Sequence, residues 1–273
     1  MLDLPNLEDV QTDVELKTCC AAVYESQWAQ LLLGDSFHPG GLALTRRIGE
    51  LLQLGPDDRV LDVASGQGTS ALFLAETFGC DVVGVDYGRI ATQQANQAAV
   101  KVGLAHKVHF EYGDAECLPF DDASFDAIIC ECAFCTFPDK PTAAAEVARV
   151  LKDNGRVALS DLTRTRNGPL PPELETLIAW IACIADAQPL EKYTAYLETV
   201  GLTVTQVESH DTALVELIRD VRGKLLAAEL MVKLGKIDFP TADFSQAKKI
   251  ARTAAESVRQ GKLGYAILVA SGK

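Results

Sequence analysis

The feature that most constrains the fold is a regular alternation of short apolar runs with amphipathic stretches. The apolar runs fall at residues 59–63, 81–85, 107–111, 125–130 and 155–160. Such runs are typical of strands buried on both faces of a sheet, whereas the stretches 70–78, 90–102 and 141–151 have helical spacing. Strand–helix alternation predicts a mostly parallel sheet with right-handed crossovers, and so an α/β fold.

Helical segments are predicted on both sides of this region. Residues 10–33 have helical spacing and end at Gly34, a predicted C-cap, and a second helix is predicted over 42–54. After a Pro- and Gly-rich loop at 164–172, we expect a helix around Cys183, another over 190–200, a strand over 202–207, mostly helix over 212–261 and a last strand over 264–270. The expected organisation is a helical segment 1–54, a core 55–210, and a helical lid plus final strand 211–273.

Charge and hydropathy narrow the classes of partner. The net charge of −13 argues against a nucleic-acid partner, because no basic stripe offsets the repulsion between protein and phosphates. The first residues lack a signal-peptide pattern, and no apolar run approaches the ~20 residues that span a bilayer. We therefore expect a cytoplasmic protein without a membrane partner. Its eight cysteines are then more typical of buried, metal-binding or catalytic thiols than of disulfides.

A glycine-containing turn follows the first predicted strand. It reads Ala64-Ser65-Gly66-Gln67-Gly68. The missing side chains let backbone amides and the next helix N-terminus approach a ligand closely. Together with Ala71 the turn also fits the G-x-G-x-x-A dinucleotide fingerprint, so the turn alone leaves a nicotinamide-dependent oxidoreductase open.

Acidic residues near the ends of the predicted strands help to identify the ligand that the turn binds. Asp62 lies within the first strand, Asp86 ends the second and can accept both hydroxyls of a ribose, and Gly113-Asp114-Ala115 follows the third. With the turn at 150–157, this ordered set resembles the class I S-adenosylmethionine (SAM)-dependent methyltransferases over about residues 40–210. The resemblance implies a Rossmann-like seven-stranded sheet, six strands parallel and the last antiparallel, and SAM as the cofactor.

The same resemblance implies the residues that hold the cofactor. Asp62, Gly66 and Gly68 would line the methionine end, Asp86 would hold the ribose, and Asp114 with Ala115 would contact adenine. Ala64, Ser65, Tyr87 and Glu131 complete the expected cofactor-binding set.

Two further segments resemble the arsenite methyltransferases within this family. Residues 129–140 read ICECAFCTFPDK and residues 183–193 read CIADAQPLEKY. The likeness places Cys132 and Cys183 on cysteines of that family, and Cys19 and Cys20 lie where its N-terminal cysteines occur. It implies that these thiolates bind trivalent arsenic as substrate, leaving its lone pair free to attack the methyl carbon of SAM.

Departures from that pattern leave other acceptors open. Glu131 and Cys135 occupy asparagine positions, and Asp186 replaces a glycine. Glu131 or His38 could instead act as the base for an organic small-molecule substrate, so Glu131 is also a candidate catalytic residue. A metalloid binder or SAM sensor without turnover is a third possibility.

The remaining cysteines, aromatic residues and His38 have plainer interpretations. Cys132 and Cys135 have C-x-x-C spacing, but the sequence offers no second pair or nearby histidine that would complete a zinc site. Cys80 and Cys117 are expected to pack in the core or in turns, and His38, in a Pro-Gly loop, is expected to be solvent-exposed. Packing between lid and core is expected of three aromatic residues: Tyr24, Trp28 and Trp180. A monomer and a homodimer are both compatible with the sequence.

Overall fold

Seven strands and eight helices make up the part of the chain that the computed structural model describes, residues 12–26, 29, 31, 34, 37–165, 169–176, 179, 182–236 and 244–272. The strands are β1 (Arg59–Val63), β2 (Asp81–Asp86), β3 (Val108–Tyr112), β4 (Phe125–Glu131), β5 (Leu151–Arg164), β6 (Thr203–Ser209) and β7 (Leu263–Ser271). The helices are α1 (Asp13–Tyr24), α2 (Gly41–Leu51), α3 (Thr69–Phe78), α4 (Arg89–Lys101), α5 (Lys140–Val150), α6 (Leu190–Thr199), α7 (Asp211–Lys233) and α8 (Phe244–Arg259). Short 3₁₀ turns lie at Phe134–Thr136 and Pro172–Leu174.

All seven strands form one sheet in the order β3-β2-β1-β4-β5-β7-β6. Neighbouring strands from β3 to β5 are parallel, while β7 runs antiparallel to both β5 and β6. Six strands therefore share one direction and the last strand opposes them, which confirms the predicted fold class. Four of the five residues of β1 are buried, as expected of a strand covered on both faces.

The first helix is shorter than the sequence predicted. Thr12 caps α1 through a capping box: its hydroxyl accepts the Glu15 N–H at 3.2 Å, and the Glu15 carboxylate accepts the Thr12 N–H at 3.1 Å. The helix ends at Tyr24, so the predicted extent 10–33 is wrong even though Gly34 has the left-handed φ of +79° expected of a C-cap.

The segment after β5 also differs from its prediction. Cys183 lies in a turn with φ +62°, not in a helix, because its backbone is left-handed there. The predicted helical character of 212–261 is confirmed by α7 and α8 as far as the described residues go. Trp28 and Trp180 fall outside the described residues. Within the described ranges, none of the helices has the length and apolar character that crossing a membrane needs.

Candidate active site

A cleft opens where β1, β2 and β4 end, beside the point at which the strand order reverses direction. Its empty volume is about 1120 Å³, including the part open to solvent. Ligands bind at this position in open α/β sheets, because the carboxyl ends of neighbouring strands diverge there. The residues that line it include Ala64, Ser65, Gly66 and Gln67 after β1, Asp86 and Tyr87 after β2, Glu131 and Cys132 after β4, and Lys17, Cys20 and Tyr24 of α1.

The two glycines of the turn after β1 have different neighbours. Gly66 lines the cleft, and a Cβ added there would meet no neighbouring heavy atom closer than the Phe37 ring at 4.0 Å. A Cβ on Gly68 would lie 2.3 Å from the Phe110 ring. Gly68 is not among the cleft-lining residues, so its geometry is that of close packing between the turn and β3, whereas Gly66 leaves room for a ligand.

Asp86 is held at the end of β2 by two backbone donors. Its carboxylate accepts the Gly66 N–H at 2.8 Å and the Gly88 N–H at 2.7 Å. Burial raises the pKa of Asp86, and these two hydrogen bonds oppose that rise. Each oxygen retains a lone pair, so the carboxylate can still accept ligand hydroxyls.

Three buried polar atoms around the cleft have no partner among the described residues: Asp62 Oδ2, Ser65 Oγ and Gln67 Nε2. Buried polar groups are normally hydrogen-bonded, so this orphaned set fits the polar amino-acid end of SAM. The pKa of Asp62 is raised, first by burial and then by the charges of Glu131 and Asp86. A cationic sulfonium beside these carboxyls would reduce their mutual repulsion.

Asp114, expected to contact adenine, is bound instead by the first helix. Lys17 Nζ of α1 lies 2.8 and 3.0 Å from the two carboxylate oxygens of Asp114, and it also pairs with Glu116. Neither Asp114 nor Ala115 is among the cleft-lining residues, while Lys17 is. The adenine contact of Asp114 and Ala115 stays a prediction.

The first helix covers the cleft and is anchored at both ends. Lys17 holds its N-terminal half, and at its C-terminal end the Glu25 carboxylate accepts the Ile90 and Ala91 N–H groups at 2.7 and 3.0 Å. Those amides begin α4, where a helix N-terminus favours a negative charge. Sequence periodicity indicated a helix here, but these contacts join residues more than 60 positions apart and leave no local signal.

Glu131 and His38 face each other across a small buried network. Thr45 Oγ1 donates to the Glu131 carboxylate at 3.1 Å, and His38 Nε2 lies 3.6 Å from Glu131 Oε2. His38 is only 7% exposed, so the expectation of a solvent-exposed loop histidine is wrong. The ring is held inside because Nδ1 can donate to the Pro39 carbonyl at 3.2 Å while Nε2 faces the hydroxyls of Thr45 and Ser70.

Cys132 and Cys183 come together next to the cleft although they are 51 positions apart. Their sulfurs and a carboxylate oxygen of Asp161 all lie within 4.8 Å of one another. The Cys183 thiol donates to the Cys132 carbonyl at 3.0 Å, and Asp161 accepts the Cys135 and Leu162 N–H groups at 2.8 and 2.7 Å. Asp161 and Cys135 were not among the predicted site residues. Only their positions, directly after the predicted strand 155–160 and three residues after Cys132, could have suggested them.

The sulfurs of this cluster have unequal proton affinities. Thiol donors Cys132 and Cys135, then the Tyr24 hydroxyl, hold the pKa of Cys183 well below that of a free cysteine. The pKa of Cys132 is raised by its hydrogen bond to Cys183 and by burial. Burial and the charge of Cys183 raise the pKa of Asp161 to about 7. These directions favour a thiolate at Cys183 and a protonated thiol at Cys132.

The first helix adds one cysteine to this region. Cys20 lines the cleft, shares a hydrogen bond with Thr136 and interacts with the charge of Cys183, and burial raises its pKa. Cys19, its neighbour, does not line the cleft. Of the adjacent pair, Cys20 is therefore the one placed to join Cys132 and Cys183.

The two cysteines assigned to packing have different environments. Cys80 is fully buried, as expected. Cys117 is exposed, so the packing expectation is wrong for it: Cys117 sits in a turn whose N–H donates to the Asp114 carbonyl, which places its side chain outward.

Comparison with known proteins gives the class of the molecule. A family model described as a methyltransferase domain matches residues 54–213, more than half of the chain. The chain therefore belongs to this methyltransferase family. A solved structure described as a candidate sarcosine dimethylglycine methyltransferase from Galdieria sulphuraria has the same fold, with a TM-score of 0.78 at 22% identity over 92% of this chain and 97% of that one.

Two curated relatives show the range of acceptors in the family. The 27-O-demethylrifamycin SV methyltransferase of Amycolatopsis mediterranei is 32% identical over 60% of this chain and 61% of its own length. An arsenite methyltransferase of Halobacterium salinarum is 29% identical over 58% of this chain and 40% of its own length. The chain spans less than two thirds of either protein.

Other structures with this fold contain SAM or S-adenosylhomocysteine. The chain is a SAM-dependent methyltransferase, and the dinucleotide interpretation of residues 66–71 is set aside. The family alone leaves the acceptor unspecified.

Proposed function

We propose that this methyltransferase transfers the methyl group of SAM to trivalent arsenic, as arsenite or a methylarsenical, bound through cysteine thiolates. The observation that carries the proposal is the meeting of Cys132 and Cys183 at the edge of the cofactor cleft, with ligand atoms within 4.8 Å. Trivalent arsenic is soft and binds thiolates, and Cys20 on α1 offers a third sulfur on the cleft. We further propose a cytoplasmic location, where thiols stay reduced.

The residues of the cleft supply position and charge. SAM supplies an electrophilic methyl group on a positively charged sulfur. Asp62, Asp86 and Glu131 place carboxyls around the cleft that attract this cation and so help to bind the methyl donor. The thiolates hold arsenic with its lone pair free; that pair forms the As–C bond while the electrons of the S–C bond stay on sulfur. Arsenic is oxidised from III to V, so a thiol reductant is needed before another round.

Deprotonation of the ligand cysteines begins at Cys183. Its lowered pKa gives a thiolate without a separate base, and each further thiol proton can leave with an arsenic-bound hydroxide as water. Asp161, with a pKa of about 7, lies close enough to Cys132 and Cys183 to accept a proton in passing. No base acting on the acceptor itself is required.

The test is incubation of the protein with SAM, a thiol reductant and As(III), followed by chromatographic detection of methylarsenicals. We expect product from the wild type, a loss of at least 100-fold in Cys132→Ser and Cys183→Ser, and little change in Cys117→Ser, whose thiol is exposed and outside the cluster. Absence of methylarsenicals from a protein that binds SAM normally contradicts the arsenic acceptor.

A second candidate function rests on the network of His38, Thr45 and Glu131. A buried carboxylate 3.6 Å from an imidazole nitrogen beside the cleft can accept a proton from a hydroxyl or amine of an organic small molecule. For such an acceptor, Glu131→Gln should reduce the rate at least 100-fold and Cys132→Ser should leave it nearly unchanged. The opposite pattern favours the thiolate-bound acceptor.

A further inference from the structure

The thiol cluster contains more ligand groups than a three-coordinate metalloid uses. Beside Cys132, Cys183 and Asp161 lies Cys135, whose N–H donates to the Asp161 carboxylate at 2.8 Å and whose thiol interacts with the charges of Cys183 and Asp161. Three ligand groups, two sulfurs and one carboxylate, therefore meet at one buried point, and the buried thiol of Cys135 lies beside them. Cys135, Asp161 and Cys183 are each at most 2% exposed.

The fold supplies what the sequence motif lacked. Cys132 and Cys135 have the C-x-x-C spacing of a metal-binding half-site, and no second half-site follows in the sequence. Cys183, from the turn before α6, and Asp161, from β5, bring the third and fourth ligands from other parts of the chain. Thiolates and carboxylates are both zinc ligands, and a structural zinc site takes four ligands.

The spacing of these ligands suits a small four-coordinate ion. With Zn–S bonds of about 2.3 Å, tetrahedral ligands stand about 3.8 Å apart. The sulfurs of Cys132 and Cys183 and the Asp161 oxygen already lie within 4.8 Å of one another, so small side-chain movements would bring these three groups onto one ion, with Cys135 next to them as the fourth ligand. Backbone N–H donors at 2.7 and 2.8 Å already orient the Asp161 carboxylate.

The donors also select the class of ion. Mg²⁺ and Ca²⁺ require oxygen ligands, whereas thiolates favour Zn²⁺ and its softer relative Cd²⁺. Three thiolates and a carboxylate exceed the charge of a divalent ion. The buried ammonium of Lys140, which pairs with Asp186 and also acts on the charge of Cys183, would offset part of that excess.

We propose that Cys132, Cys135, Cys183 and Asp161 form a tetrahedral binding site for a soft divalent cation, Zn²⁺ or Cd²⁺. Cation binding needs no methyl transfer and does not depend on the arsenic acceptor. Because Cys132 and Cys183 belong to both sites, a bound cation would exclude a thiolate-bound metalloid and inhibit its methylation.

Titration of the reduced protein with Cd²⁺ tests the proposal, with sulfur-to-cadmium charge-transfer absorbance as the readout. We expect one Cd²⁺ per chain, absorbance corresponding to three thiolates, and affinity at least 10-fold lower in Cys135→Ser and Asp161→Asn. Cys117→Ser, with its exposed thiol, is the matched control and should bind as the wild type does. SAM affinity, measured in parallel, reports that each variant is folded.

Two results overturn the site. One is the absence of stoichiometric Cd²⁺ binding by a chain that binds SAM; the other is unchanged affinity in both Cys135→Ser and Asp161→Asn. If either variant fails to fold, X-ray absorption of the Zn²⁺-loaded wild type decides: three sulfur neighbours and one light ligand support the site, and fewer than three sulfurs contradict it. If the wild-type protein methylates arsenic but binds no Cd²⁺, the cation site is refuted and the proposed arsenic acceptor is not.

Discussion

At the scale of single residues, the two glycines of the turn after β1 have different roles. Gly66 leaves space beside the cleft, while Gly68 leaves space for the Phe110 ring. Both have positive φ, +53° and +81°, which other residues adopt only with strain. The motif therefore combines a binding requirement with a packing requirement.

Gly68→Ala should mainly reduce stability, whereas Gly66→Ala should mainly reduce SAM affinity. The added methyl at 68 meets Phe110 at 2.3 Å, so we expect the free energy of unfolding to fall by about 2–4 kcal/mol. The methyl at 66 meets no protein atom closer than the Phe37 ring at 4.0 Å, so stability should fall less while SAM affinity drops at least 10-fold. Urea unfolding and calorimetric SAM titration measure the two effects; equal loss of stability in both variants would contradict the distinction.

Residue-scale prediction from the sequence succeeded where chemistry is local and failed where burial is decided by distant contacts. The positions of Asp62, Gly66, Asp86 and Cys132 at strand ends place them on the cleft, as expected. His38 was misjudged because its partners Thr45 and Glu131 come from α2 and β4. No local pattern indicates such a network.

At the scale of elements, one ion pair joins the helix before β1 to the edge strand of the sheet. Arg47 of α2 donates to Glu208 of β6 through Nε at 3.0 Å and Nη2 at 2.5 Å. A two-pronged pair of this kind fixes orientation as well as distance. It holds α2, which also carries Thr45 of the site network, against an otherwise exposed strand.

The stability contributed by this pair should depend on pH in a defined window. The hydrogen bond from Arg47 lowers the pKa of Glu208 from 4.5 to about 2. Because the pKa of Glu208 is lower in the folded state, its ionised carboxylate stabilises the fold at pH values above 4.5, the pKa of the unfolded state. This stabilisation is lost as the pH falls from 4.5 toward about 2. Arg47→Gln should lower Tm by about 2 °C at pH 7, a modest effect because Arg47 is partly exposed, and by less at pH 3. A pH-independent difference, measured by calorimetry, would show that packing rather than charge is responsible.

The elements themselves were largely predictable, but their contacts were not. Buried apolar runs gave β1 to β4 nearly in full, because a strand covered on both faces needs no partner to be recognised. For β5, Leu151–Arg164, they gave only the central part, residues 155–160. The turn at Cys183 was mistaken for helix, since short apolar stretches look alike in both states. The placement of α1 over the cleft depends on Lys17 and Glu25, whose partners are remote in sequence.

At the scale of the whole molecule, the last strand of the chain lies inside the sheet and not at its edge. β7 pairs with β5 on one side and β6 on the other, so the chain returns from its C-terminal helices to fill a gap. Six of its nine residues in succession are buried. The α1 helix, by contrast, lies over the cleft without joining the sheet.

Truncations at the two ends should therefore have opposite outcomes. Removal of residues 263–273 deletes β7 and should abolish cooperative thermal unfolding, because β5 and β6 lose their shared partner. Removal of residues 1–24 should leave a cooperative transition but weaken SAM binding at least 10-fold, since Lys17, Cys20 and Tyr24 line the cleft. Circular dichroism melts and SAM titration measure both; cooperative unfolding of the shortened C-terminal variant would contradict the role given to β7.

Cys132 and Cys183 share an unfavourable backbone conformation. Both are left-handed, with φ of +55° and +62°, a conformation that costs a non-glycine residue about 1–2 kcal/mol. Glycine or asparagine at either position would relieve this strain, so cysteine is the less stable choice on backbone grounds. Among relatives whose acceptor is not bound by thiols, both positions should therefore change toward those residues together, and retention of both cysteines would mark the relatives in which the proposed thiolate-bound acceptor is used.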